Sequence, residues 1–122
     1  MKITSIISNW QRLDGGAMFG HVPRALWSRW YEVDELSRIR LACRCFLIEF
    51  SDSKFLLETG VGSYMSPKQK AMYGVESERQ LVLEGLSALG VDANEIDGVI
   101  LSHMHFDHVG GLLPSFESIE KK

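Results

Sequence analysis

Apolar residues along this chain follow two periods, and the switches between them divide it into elements. From Lys2 to Leu13 the apolar positions alternate loosely and are rich in Ile and Trp, which predicts a strand ending at the turn signal Asp14-Gly15-Gly16. A longer strand is predicted from Ser37 to Phe50. There Arg38, Arg40, Ala42 and Arg44 share one face, and Ile39, Leu41, Cys43, Cys45 and Leu47 share the other. Phe46-Leu47-Ile48-Glu49-Phe50 is apolar on both sides, so this strand runs from a wet margin into a covered region. Ser51-Asp52-Ser53 predicts a hairpin turn, and Lys54 to Glu58 the returning strand.

The period then becomes helical. Ser66-Pro67 is a good helix start, a capping hydroxyl followed by a proline tolerated at the first position, and Gly74 predicts its end. A second helix is expected from about Glu76 to Leu89. Leu81, Val82, Leu86 and Leu89 would lie on one face, Glu78, Arg79 and Glu84 away from it, and Gly90 would close it. Gly98-Val99-Ile100-Leu101-Ser102 returns to a short buried strand. Strands and helices in this order predict an α+β domain spanning residues 1–122.

Between the first two strands, residues 17–31 read as an aromatic-rich loop or short helix. Two readings stay open for it. The rings pack as a satellite core, or Phe19, His21 and Trp27 line the wall or rim of a substrate pocket.

Composition narrows the possibilities. The 122 residues are 45% hydrophobic and 24% charged, with 13 basic against 16 acidic residues and a net charge of -3. A chain of this size can bury about two-thirds of its unfolded surface. No basic face points to nucleic acid. The N-terminus has neither a long apolar run nor a small-residue cleavage site, so neither a leader nor a membrane span is expected, and the cytoplasm is the expected location. Cys43 and Cys45 are two apart in one strand, a spacing that disfavours a disulfide and predicts core packing.

The chemistry concentrates in Ser102-His103-Met104-His105-Phe106-Asp107-His108. Three of the four histidines of the chain fall here with an acid between them. If the chain stays extended past Ser102, His103 and His105 project to one side. Asp107 and His108 follow where the chain turns, before Gly110-Gly111. Imidazoles and a carboxylate in this pattern offer nitrogen and oxygen ligands that zinc, iron or manganese accepts.

His103-x-His105-x-Asp107-His108, followed by Gly110-Gly111-Leu112 after a short apolar strand, resembles the HxHxDH signature of the metallo-β-lactamase superfamily. The resemblance implies the first half of a four-layer αββα sandwich. It also implies two divalent metal ions, zinc with iron or manganese as alternatives: His103 and His105 would bind one, Asp107 and His108 the other. The implied activity is metal-dependent hydrolysis, an activated water attacking an ester, lactone or phosphotriester, with Asp107 as the catalytic group that holds or deprotonates it. Asp14-Gly15-Gly16-x-Met18-Phe19-Gly20-x-Val22-Pro23-x-x-Leu26-Trp27 resembles a loop of the branch that holds acyl-homoserine lactonases and phosphotriester hydrolases. Leu56-Leu57-Glu58-Thr59-Gly60 resembles the family's LLDTG element, whose acid supports the metal site from behind; here Glu58 stands for Asp and adds a methylene.

A catalytic zinc takes three protein ligands, and no histidine follows His108. Both metals are therefore expected to be incompletely liganded by this chain, which reads as a partial domain whose sheet leaves a face for a second sheet. A small-molecule substrate is the expected partner, and the open face would be filled by a missing C-terminal half or by a homodimer. The alternative function is a non-catalytic truncated binding or oligomerisation module holding metal weakly.

Overall fold

The computed structural model of the protein describes residues 1–77 and 79–120. Its scaffold is one four-stranded sheet in the order β1-β2-β3-β4. β1 (Lys2–Asp14) and β2 (Arg38–Glu49) pair antiparallel along their whole length. β3 (Lys54–Leu57) returns antiparallel beside the end of β2, and β4 (Gly98–Ile100) lies parallel to β3. Because β3 pairs only with Phe46 to Glu49 and Val33 bridges only Ile39, the middle of β2 has an open edge, and residues 103–108 come to lie beside it.

The order of elements is the predicted α+β one, with shifted boundaries. Asp14-Gly15-Gly16 does not form a simple turn. The Asp14 carboxylate accepts from the Ala17 amide at 2.8 Å and starts a short helix, α1 (Gly15–Phe19), followed by α2 (Arg24–Trp27). α3 (Pro67–Tyr73) is as predicted: Ser66 caps it reciprocally with Gln69, and Gly74 ends it in the left-handed region at φ 54°.

The second long helix is shorter than expected. α4 covers Leu81–Ala88 rather than starting near Glu76. The Glu76 amide donates to Trp10 O at 3.0 Å and its carboxylate pairs with Arg40, so tertiary bonds hold this residue out of the helix. Val82 and Leu86 are buried, whereas Leu89 sits at the C-cap and is exposed, so it leaves the apolar face on which the pattern placed it. Glu78 lies outside the described residues.

α4 closes one face of the sheet. Val82, Leu86 and Val91 pack on Ile6, Cys45, Leu47 and Leu56 to form the main core. Cys43, Val61 and Met65 form a second core with Tyr64, Tyr73, Val75 and Phe106. Both cysteines are free and buried on this face. Residues on the opposite face, including Ile3, Ile7, Phe46, Ile48, Phe55, Leu57 and Ile100, are only half-buried or exposed. Among the described residues no helix is long and apolar enough to cross a membrane.

Candidate metal centre

β4 ends at Ile100, two residues before the predicted end, and His103 follows in irregular chain. His105 is the N-cap of α5 (Phe106–Val109), which carries Asp107 and His108 in its only turn. Two anchors place this short helix. Phe106 enters the second core, its ring 4.4 Å from that of Tyr73. The following backbone is then tied to the exit of β3: the Thr59 amide donates to His108 O at 2.8 Å and the Gly111 amide to Gly60 O at 3.1 Å. The two segments touch backbone to backbone. A Cβ added at Gly110 would fall 2.0 Å from Val61 O, which explains a glycine there.

These constraints bring all four predicted ligands together. The His103 ring lies 4.6 Å from that of His105 and 4.0 Å from that of His108. His103 Nε2 and His105 Nδ1 are 3.0 Å apart, and Ser102 Oγ is 3.0 Å from His103 Nδ1. His108 Nε2 is 3.7 Å from Asp107 Oδ2. Among the described residues no group of three or more His, Cys, Asp or Glu is arranged to hold a metal ion. The donor chemistry nevertheless fits a divalent ion: imidazole nitrogens and one carboxylate are the set that zinc takes.

Glu58 stands directly after β3 at φ 63°, a left-handed conformation unusual for a residue with a side chain. Its Oε1 accepts the Ser102 amide at 2.9 Å, and its Oε2 lies 3.1 Å from His108 Nδ1. Neither Oε2 nor Nδ1 has another polar partner. Burial raises the Glu58 pKa, but the hydrogen bonds from Ser102 and the adjacent His108 outweigh it and hold the carboxyl below its usual range. The extra methylene therefore still reaches the ring, and Nδ1 facing an acid leaves Nε2 free to bind metal.

Gln11 is a residue that sequence reasoning missed. It is 2% exposed in β1, and its Nε2 donates to Asp107 Oδ2 at 2.9 Å. Cys43 lies close by, but burial, reinforced by the negative charges of Asp107 and Cys45, pushes its thiol up to about 12. With no cation beside it among the described residues, Cys43 is a neutral thiol packed in the second core.

A cleft of about 460 Å³ opens on the cluster, bounded by Gln11, Leu13, Met18, Leu41 and the three histidines among others. Of the aromatic loop only Met18 reaches it. Phe19 stacks on Trp27 at 5.4 Å and 12°, Trp27 is buried, and His21 is exposed; none of the three lines the cleft. Phe19 instead gathers Trp27, Trp30 and Tyr31 into a ring cluster beside α1, in which Trp27 is buried while Trp30 and Tyr31 are exposed.

The family model of the metallo-beta-lactamase superfamily matches residues 38–118. This chain belongs to that superfamily. A probable metal-dependent hydrolase from Staphylococcus aureus superposes with a TM-score of 0.83 at 35% identity, over 91% of this chain and 40% of that one. A dizinc quorum-quenching lactonase, AidC, matches at TM-score 0.65 and 20% identity, over 91% of this chain and 35% of that chain, which shows a shared fold. Ribonuclease Z of Methanopyrus kandleri is 32% identical over 74 residues, 61% of this chain and 20% of that protein. The chain thus spans well under half the length of the hydrolases that it matches. It is an α+β part of a metallo-beta-lactamase fold, in a family of hydrolases.

Proposed function

We propose that this chain supplies the first ligands of a two-metal hydrolase site, His103 and His105 to one ion and Asp107 and His108 to the other. Zinc suits the donor set, with iron or manganese the alternatives. The reaction is attack of water on an ester, lactone or phosphotriester. The observation that carries this reading is the convergence of three imidazoles and one carboxylate, with Glu58 behind His108. When bound, a divalent ion lowers the pKa of water toward neutrality and polarises a carbonyl or phosphoryl oxygen.

The side chains of this chain do the rest. Asp107 accepts a hydrogen bond from the attacking water, aims it and takes its proton. Glu58 fixes the tautomer and direction of His108. The apolar cleft wall of Leu13, Met18 and Leu41 receives the hydrocarbon part of a small-molecule substrate and excludes water from it. Phe19 and Trp27 support the loop presenting Met18, and His21 stands outside the cleft as a surface residue of the rim.

Two ligands per ion fall short of the three that a catalytic zinc takes. The others come from polypeptide outside these 122 residues. This is supported by the share of the staphylococcal hydrolase that the chain spans and by the apolar open face of the sheet. A homodimer would cover the same face, but His21 is the only further imidazole it brings. The same open face also favours the second reading, a non-catalytic module that pairs through its sheet. The free, buried cysteines suit a reducing compartment, so the cytoplasm is the proposed location.

The test has two parts. Calorimetric titration of residues 1–122 with Zn(II) is expected to show weak binding; two tightly held ions would overturn the division of the site. The longest polypeptide in which these residues occur is then assayed with an acyl-homoserine lactone, an aryl ester and a phosphotriester. Hydrolysis lost with a chelator and with Asp107→Asn supports the hydrolase. No turnover, with a defined dimer that survives His103→Ala and His105→Ala, supports the module.

A further inference from the structure

We infer that Gln11 is a positioning residue for the metal centre: it reaches 96 positions along the chain to fix the carboxylate of Asp107 from behind. The inference rests on the proposed ligand set. A carboxylate only accepts hydrogen bonds, so the contact at 2.9 Å must come from the amide nitrogen, and this settles which way the side chain faces.

The other end of the amide gives the argument its force. Gln11 Oε1 is buried and has no partner. An unpaired buried carbonyl costs free energy, and a leucine or methionine would fill the same space without that cost. The strand therefore keeps a polar group where packing alone would not, and the contact to Asp107 is what it gains. Without Gln11, Asp107 sits in a single helical turn with its side chain partly exposed and free to change rotamer. With it, Oδ2 is held near His108 Nε2, and Oδ1 remains available for a metal or for the attacking water.

The four ligands thus divide unequally. His108 is backed by Glu58 from the end of β3, and Asp107 by Gln11 from β1. His103 contacts Ser102, His105 and the ring of His108, and His105 contacts His103, with no strand residue behind either among the described residues. The Asp107–His108 pair is organised by the fold before metal arrives, because one support lies within β1 and the other directly after β3.

The experiment compares the 122-residue chain with Gln11→Met, which keeps length and volume and removes the donor. Co(II) is titrated and followed by its d–d absorption, with the metal-free melting temperature measured alongside. The expected result is a tenfold to hundredfold weaker uptake and an altered band in Gln11→Met, with the metal-free melting temperature kept or raised. A fall in melting temperature with unchanged Co(II) affinity and spectrum overturns the inference, since it marks a purely structural role. A metal-free readout separates this claim from the ligand assignment. In amide NMR the side-chain protons of Gln11 should be shifted and slow to exchange, and Asp107→Ala should abolish both. If wild type takes up no Co(II), the ligand assignment fails. Gln11 is then judged by NMR alone, and resonances indifferent to Asp107→Ala overturn its contact.

Discussion

The sheet has two faces made from similar residues and finished in different ways. On one, Leu47 and Leu56 are capped by Val82 and Leu86 of α4, and Leu47 and Leu86 are each 1% exposed. On the other, one end carries Arg12, Arg40 and Arg44 beside Trp10, and the remainder carries Ile3, Phe46, Ile48, Phe55, Leu57 and Ile100. Ile3 is 56% exposed there and Ile100 49%. The arginine end has its own partners: Arg40 lies 3.7 Å over the Trp10 ring and pairs with Glu76. The apolar end has no counterpart of α4 among the described residues. Equal hydrophobicity therefore does not mean equal contribution to stability, because only area removed from water counts.

Substitutions can break this contrast. The largest effect is expected on the capped face, where Leu86→Ala should cost about 2–5 kcal/mol in urea unfolding. A cost below that of Ile48→Ala on the open face would invert the comparison. Gly110→Ala comes next, at about 1–3 kcal/mol by the same measurement, because its methyl group meets the Val61 carbonyl. It tests whether the capped side extends under the ligand-bearing segment.

Phe46→Lys on the open face should change stability by less than about 1 kcal/mol. It should also reduce self-association of residues 1–122 in light scattering. A cooperative loss of fold in this variant would show that the open face is already closed in solution.

The smallest effect belongs to the arginine end. The hydrogen bond from Arg40 holds the Glu76 carboxyl below its usual range. A depressed acid stabilises the fold above its unfolded value and loses that contribution as pH falls through the folded one. Arg40→Gln should therefore lower neutral-pH stability slightly and flatten the decline below pH ~4.5 by the same small amount, so that the two proteins converge in acid, as an exposed pair requires.

Several parts of this structure were legible in the sequence for local reasons. Ser66-Pro67 and Gly74 carry their own capping chemistry, and α3 obeys it. His103, His105, Asp107 and His108 are close in sequence, so one chain turn suffices to gather them. What could not be read depended on distant partners. α4 starts late because Trp10 and Arg40 take Glu76, and Asp14 starts a helix where its glycines suggested a turn. The burial of Gln11 and its contact with Asp107 were hidden by an irregularity in β1, between Ile7 and Asn9, where strict alternation fails. Ser8 and Asn9 are consecutive and both buried, and from there the inward set becomes Asn9, Gln11 and Leu13 opposite Cys43, Leu41 and Ile39.

That bulge has a consequence for the length of the strand as well as for its geometry. The strand carries one residue more than its partner needs, and the surplus is absorbed within a single peptide step. Removing Ser8 would straighten the strand and keep Asn9 and Gln11 turned inward, at the loss of the buried hydrogen bond from Ser8 Oγ to Cys43 O. The register that brings Gln11 to Asp107 therefore depends less on the length of the strand at Ser8 than on the residue at Gln11.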